Sequence, residues 1–451
     1  MKKFIETLKN IWSIEELRNK ILITVLLVFI YIIGTYIVLP GIDANALDAM
    51  KQKSNDGLLG LINIFSGGAF SNASIFALGI MPYISASIAV QLLSLAVPYF
   101  QRLSREGESG RRQINQITRY LTIGVTLVQG MAYITNLKQQ SPGAITQNVP
   151  YAFFVISSLI CLSAGTLFVM WLGERITDKG LGNGISLIIM IGIISKLPGA
   201  FLQETAARFT SNGMMIWVLE LAFFIMILMG IILLVQGTRK IAVQYAKRNI
   251  MQNGRMMQAG GNRQYLPLKV NQAGVMPIIF AQALMFLPAT LLQFLPNTQS
   301  GFIKSFTDHG SVAYNVVVFL LIMIFTYFYT ALVINPVQMA DEMKKNGGFI
   351  PGVSPGKKTA DYIDNVMSRI TLPGSILIGI VAILPAIVMM FGVQQGFAYF
   401  FGGTSILILV GTVLDTLQQI ESHLLMKKYD GLSKGGRIKG RQGLSSVGGG
   451  Y

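Results

Sequence analysis

The chain has 451 residues, 52% hydrophobic and only 12% charged, with a positive mean hydropathy. This is the composition of a polytopic membrane protein and excludes an ordinary soluble domain. The formal net charge is +16, Cys161 is the single cysteine, and His309 and His423 are far apart, so an internal disulfide is excluded and neither a metal site nor a cofactor is expected.

In chain order, residues 1–20 lack the apolar core of a cleavable leader. Phe4, Leu8, Ile11 and Trp12 share one helical face, which predicts an amphipathic helix on the membrane surface. Ten apolar segments follow, at 21–39, 75–97, 117–136, 151–173, 184–202, 214–236, 273–295, 313–335, 371–391 and 399–421. The expected fold is all-α, with ten transmembrane helices in two pseudo-symmetric five-helix halves, 21–202 and 203–421. Of the 36 lysines and arginines, 30 fall in one alternating set of connections: the two ends and 98–119, 174–183, 237–272 and 336–370. The positive-inside rule places that set, with both termini, in the cytoplasm. The tail, 422–451, is basic and glycine-rich without apolar periodicity after Leu432, and is expected to be largely disordered.

Between the first two spans, residues 58–70 are apolar but number only thirteen. A bilayer core needs ~20. This half-span breaks at Gly67-Gly68 and is followed by a span containing Pro82. Non-helical backbone at membrane depth survives only against protein or a water-filled cavity, so a re-entrant segment beside a cavity is predicted. The corresponding span of the second half contains Pro277 and Pro288. Interrupted helices at matching positions point to the functional pathway, although Gly and Pro are common in membrane helices generally.

Charges are sparse inside the spans. Glu220 and Asp415 are the clearest, and both sit toward helix ends where water is expected to reach them. Ion-coupled transporters carry ionisable residues at mid-depth. Here mid-depth is isoleucine, glycine and serine, which argues against a secondary transporter for a small solute. No Walker-type G-x-x-x-x-G-K-[ST] and no H-E-x-x-H is present, and neither histidine lies within a span. A nucleotide-driven pump and an intramembrane protease are therefore poor readings, and no enzyme activity is expected.

Several runs, in order and at consistent spacing, carry a family resemblance: ASIFALGIMPYISASI (73–88), REGESGRR (105–112), WLGERITDKGLGNGIS (171–186), YAKR (245–248), LPLKVNQAGVMP (266–277), YTALVINP (329–336) and FGGTSILI (401–408). Together they resemble SecY, the channel subunit of the bacterial Sec translocon, along almost the whole chain. The resemblance implies a passive protein-conducting channel in the bacterial inner membrane, which passes unfolded or nascent polypeptides across and releases transmembrane segments sideways into lipid.

By motif matching, Ile80, Ile84, Ile185, Ile189, Ile279 and Ile408 would form an apolar pore ring that excludes water by dewetting; spacing alone would read them as facing lipid or a neighbouring helix. The half-span would be the plug: Asn63, Ile64, Phe65, Ser66, Gly67, Gly68, Ala69, Phe70, Ser71, Asn72, Ala73 and Ser74. Its glycines and small residues imply few apolar contacts and easy movement; the residues alone also fit a plain loop capping the bundle. The helices at 75–97 and 273–295 would form a lateral gate. There Ser85, Ser87 and Gln91 would face Gln282 and Leu287, and the polar ones could bridge the closed gate at roughly 0.6 kcal/mol per hydrogen bond. Ordinary polar contacts between helices would use the same residues.

Arg239, Lys240, Lys247, Arg248 and Arg255 on the first long loop, and Ser354, Lys357 and Lys358 on the second, correspond to positions that dock a ribosome or a motor ATPase. Their charge suits ribosomal RNA phosphates and anionic lipid equally. The implied partners are the SecE and SecG subunits, the SecA motor, the ribosome, signal peptides and nascent chains, SecDF, YidC and membrane lipid. Two departures bear on docking. Arg255 is followed by Met256 where the family usually pairs arginines, with Gly254, Gly260 and Gly261 nearby. Ser354 stands where an arginine is usual.

Overall fold

The computed structural model describes residues 12–43, 47, 57–145, 150–210, 213–245, 248–252, 255–259, 263–293 and 310–435. Each apolar segment falls on a helix: α1 (Glu15–Gly34), α3 (Met81–Ala96), α5 (Glu108–Gln140), α6 (Tyr151–Lys179), α7 (Gly184–Thr210), α8 (Met214–Gln236), α9 (Met276–Gln293), α10 (Val312–Val333), α12 (Lys357–Met390) and α14 (Gly403–Gly435). Shorter helices complete the set: α2 (Gly57–Phe65), α4 (Pro98–Arg105), α11 (Pro336–Lys345) and α13 (Gln395–Ala398).

Among the described residues seven helices are long and apolar enough to cross a membrane, or eight if α3 and α4, bent by 100° at Pro98, count as one. The protein is multi-pass. The helix α5 is more polar than the other long helices, and its buried residues include Thr118, Thr122 and Thr126. Each threonine hydroxyl donates to the carbonyl four residues back, so these three hydroxyls are satisfied within the helix.

The helix contacts repeat between the halves. α3 packs on α5, α5 on α6, α6 on α7, and α1 on both α6 and α7. Five helices further on, α9 packs on α10, α10 on α12, α12 on α14, and α8 on both α12 and α14. The two sets meet along two seams. At one, α9 touches α3 and α5; at the other, α7 touches α8, α13 and α14.

Four expectations are corrected. The first concerns the prolines. Pro82 and Pro277 do not interrupt helices; each is the second residue of its helix, where a missing N–H costs nothing. Only Pro288 lies within α9, and prolines inside helices also occur at Pro198, Pro373 and Pro385. Secondly, the fold is mostly helical, as expected, but the two long connections are not plain loops and carry short strands. β1 (Thr238–Tyr245) pairs antiparallel with β4 (Arg263–Lys269) and with β5 (Gly348–Phe349), while β2 (Arg248–Gln252) pairs with β3 (Arg255–Ala259). Alternation in β1 turns Ile241 and Val243 onto Leu268, Met343, Ile350, Ile363 and Met367, so the two long loops share one small core.

The other two corrections lie at the ends. α1 begins at Glu15, so the expected surface helix does not reach 20; residues 1–11 lie outside the described residues. The last helix continues to Gly435, since 422–428 carries helix-forming Leu, Met and Lys. Residues 436–451 lie outside the described residues.

Candidate functional site

The site is built where α3, α7, α9 and α14 converge. Ile80 is the N-cap of α3, held there by the Gly79 turn at φ +54, and its carbonyl accepts from Ile84 N at 3.1 Å. Ile84 therefore stays on the same side one turn later. Ile185 and Ile189 lie on the first turns of α7, whose start is fixed by Asn183 Oδ1 accepting from the Ile185 and Ser186 amides. Ile279 comes from α9 and Ile408 from α14. All six belong to one continuous apolar cluster, with Ile80, Ile84, Ile189 and Ile408 buried and Ile185 and Ile279 half-buried. The sequence missed three residues of the same cluster, Ile188, Ile278 and Leu407, since only packing brings them in.

The same cluster takes in Ile64, Phe65 and Ala69 from the half-span. At 1.5 Å per residue, the nine residues of α2 reach only ~14 Å. Tight turns follow, with Gly67 at φ +66, Gly68 at φ +90 and Ala73 at φ +46. The expectation of few holding contacts is corrected. Only Gly67 and Asn72 are half-buried, and the rest of 63–74 is buried. Tyr133 donates its hydroxyl to Phe70 O at 2.9 Å, and its ring meets Phe70 edge-on at 4.8 Å. The Tyr31 hydroxyl donates to Ser66 O at 3.2 Å.

Further bonds tie the segment down. Asn63 Oδ1 accepts from Ser71 N, and Ser66 Oγ accepts from Phe70 N. The chain just after α1 pairs with the end of the segment, through Leu39 N to Ala73 O and Ile75 N to Ile37 O, both 2.9 Å, bracketing the Val38–Ser74 bridge. On α7, Gly192 allows the closest approach: a Cβ there would lie 2.7 Å from Phe65 O and 3.1 Å from Gly67 N. The Lys196 side chain lies over Gly68. Beside it a cavity of about 230 Å³ is lined by Asn63, Ser71, Asn72, Lys196, Gln203 and Tyr399.

At the α3–α9 seam the polar residues do not bridge. Ser85, Ser87, Gln91 and Gln282 are half-buried. Gln91 Nε2 donates to Ser87 Oγ within α3 at 3.3 Å. Gln282 Nε2 donates to Thr404 Oγ1 on α14 at 2.9 Å. Among the described residues none of the four bonds across, because each amide finds a nearer partner in its own half. The seam is closed instead by apolar packing that includes Ile84, Ile88, Ile278 and Ala281. The Leu287 side chain lies outside the described residues.

The loop residues sit apart, on the sheet. Arg239, Lys240, Ser354, Lys357 and Lys358 are exposed, the first two on β1 and the lysines on the first turn of α12. The backbones of Arg248 and Arg255 lie in β2 and β3, their side chains outside the described residues, as is all of Lys247. Asp415 is exposed as expected. Glu220 is not: it is buried and accepts from Arg208 Nη2 at 2.6 Å. The sequence hid this pairing, since the partner is twelve residues back on another helix.

The family model described as SecY matches residues 74–417. Protein translocase subunit SecY of Streptomyces scabiei is 42% identical over 431 residues, covering 92% of this chain and 97% of the relative. That of Chlamydia trachomatis serovar D is 42% identical over 459 residues, covering 96% and 99%. Among solved structures, "The structure of a protein conducting channel" superposes with a TM-score of 0.62 at 17% identity, covering 93% of this chain and 95% of that one. A structure titled for the plug domain of the SecY protein, which it says stabilises the closed state and maintains a membrane seal, gives 0.60 at 17% with the same coverage. Sec61 in the canine ribosome-channel complex gives 0.58 at 16%, again covering 93% and 95%. With the family model spanning most of its length and relatives matching nearly all of it, the chain belongs to the SecY family.

Proposed function

We propose that this chain is the central protein-conducting channel of a Sec-type translocon, with ten crossings and the β-sheet face and both termini in the cytoplasm of a bacterium. One observation carries the reading: six isoleucines from four helices, four of them from α3 and α7 in the first half and two from α9 and α14 in the second, share one apolar cluster with the half-span. A waist of branched apolar side chains excludes water and ions yet yields around a chain, because dispersion contacts have no fixed direction. The half-span fits a plug on that waist, and the α3–α9 seam, held without bridging polar bonds, fits a lateral gate for signal peptides and transmembrane segments.

The exposed basic residues of the sheet face suit a ribosome, through its RNA phosphates, or the SecA motor. Support for a ribosomal partner comes from Sec61, found in a ribosome-channel complex. SecE and SecG would accompany the chain, with SecDF and YidC as further partners.

The test is ion conductance of the purified complex in a planar bilayer. Wild type is expected to be tight. Deletion of 63–74 and polar replacement of Ile84 and Ile408 are expected to leak. Near-zero conductance in every variant would return the chain to the small-solute transporter reading.

A further inference from the structure

The second seam, where α7 meets α8 and α13, carries a buried ion cluster that the channel reading does not use. Arg208, in the last turn of α7, donates from Nε to Glu204 Oε1 at 2.8 Å and from Nη2 to Glu220 Oε1 at 2.6 Å. The same Nη2 donates to Gly392 O at 2.8 Å, and the second oxygen of Glu204 accepts from Gln394 N at 2.9 Å. Three of these four bonds run from α7, the last helix of the first set, to the helices and connection of the second set. The Glu204 side chain is 1% exposed, Glu220 8% and Arg208 15%. Gly392 is at φ +81, a turn few other residues adopt, and this turn presents its carbonyl to the guanidinium.

Aromatic rings cover the same junction. Phe201 of α7 lies 5.1 Å from Trp217 of α8 and 6.0 Å from Phe397 of α13, centroid to centroid, and Trp217 lies 5.8 Å from Phe397. Rings that exclude water strengthen the charge-assisted bonds beside them. A planar guanidinium also fixes the directions of its partners in a way a point charge does not. The cluster thus sets an angle between the halves as well as a distance.

We propose that Arg208 is a positioning residue: it pins the two halves at the α7–α8 junction and so holds the α3–α9 seam shut. Loosening this seam frees rotation at the other. The pin rests on the channel reading above, and its test separates the two.

The full complex is reconstituted with Arg208→Lys, which keeps the charge but loses the planar fork, and with the neutral triple variant E204Q/R208Q/E220Q, which strands no buried charge. Two quantities are read in each: bilayer conductance, and the distance between spin labels at exposed Leu93 on α3 and Leu284 on α9, in a Cys161→Ser background. The expected result is a leak at least tenfold above wild type for the triple variant, a smaller rise for Arg208→Lys, and a label distance shifted to longer values in both. A merely structural role would change melting temperature and leave both readouts at wild-type values. Folded variants that are tight, with unshifted labels, overturn the pin, and if the triple variant does not fold, Arg208→Lys decides alone. Deletion of 63–74 is the control. If it leaks while the Arg208 variants stay tight, the pin is wrong and the channel stands; if it too is tight, the channel reading is what failed.

Discussion

The two seams between the halves are built from opposite materials. Along α3–α9 the contact is apolar, and every glutamine that could reach across turns back into its own half. Along α7–α8 the contact is a half-buried arginine with two buried carboxylates and two backbone groups, flanked by aromatic rings in tilted and edge-on contact. Apolar surfaces can part and meet lipid or another apolar segment at little cost. A buried ion cluster cannot, because each charge it loses is stranded away from water. On the channel reading, this difference fits opening at the first seam and permanence at the second.

The most severe way to break the contrast is Arg208→Leu. Removing the shared cation leaves Glu204 and Glu220 buried and uncompensated, which costs about 3–5 kcal/mol in comparable sites. The unfolding midpoint of the purified complex should drop by far more than for any single change at the α3–α9 seam. A drop no larger than that of Gln282→Ala would erase the distinction between the seams.

Next is Gly192→Val on α7, whose side chain would enter the space of Phe65 O and the Gly67 amide. Overpacking of this kind costs about 1–3 kcal/mol. The half-span is the least bulky element in contact, so its displacement should appear as raised ion conductance with the fold intact; a tight channel would mean that the segment does not seal the waist.

A smaller effect is expected for Tyr133→Phe, which removes a buried hydroxyl donating to Phe70 O. One such bond is worth about 1 kcal/mol. Protection of the 63–74 amides from hydrogen exchange should fall by several-fold, without change elsewhere in α5.

The smallest effect sharpens the comparison most. Because Gln91 and Gln282 do not touch, Gln91→Ala and Gln282→Ala should be additive within about 0.5 kcal/mol in a double-mutant cycle. A larger coupling energy would mean that the two amides do bond across the closed seam, contrary to the geometry.

Membrane residence, the places of the ten apolar segments and their division into two sets of five were legible in the sequence. Hydropathy is a local property, and in lipid a chain has little choice but to form helices where it is apolar. The half-span was legible for the same reason: thirteen apolar residues are too few to cross. The six isoleucines were not legible from spacing, since an i,i+4 pair looks alike whether it faces lipid, a neighbour or a waist; family resemblance named them and packing brought them together. The strand β5 was missed because it pairs with β1 from the other long loop, and two residues leave no pattern to read.

By itself the sequence determined which stretches enter the membrane and which connections carry the positive charge, because both follow from the free energy of transferring individual side chains. Tertiary structure decided everything that depends on a partner distant in the chain. It turned Gln91 and Gln282 away from each other, anchored the half-span to Tyr31 and Tyr133, and placed Glu220 against Arg208. A hydrogen bond or ion pair exists only when both ends meet at about 3 Å, and no local rule of hydropathy or propensity fixes a distance between helices.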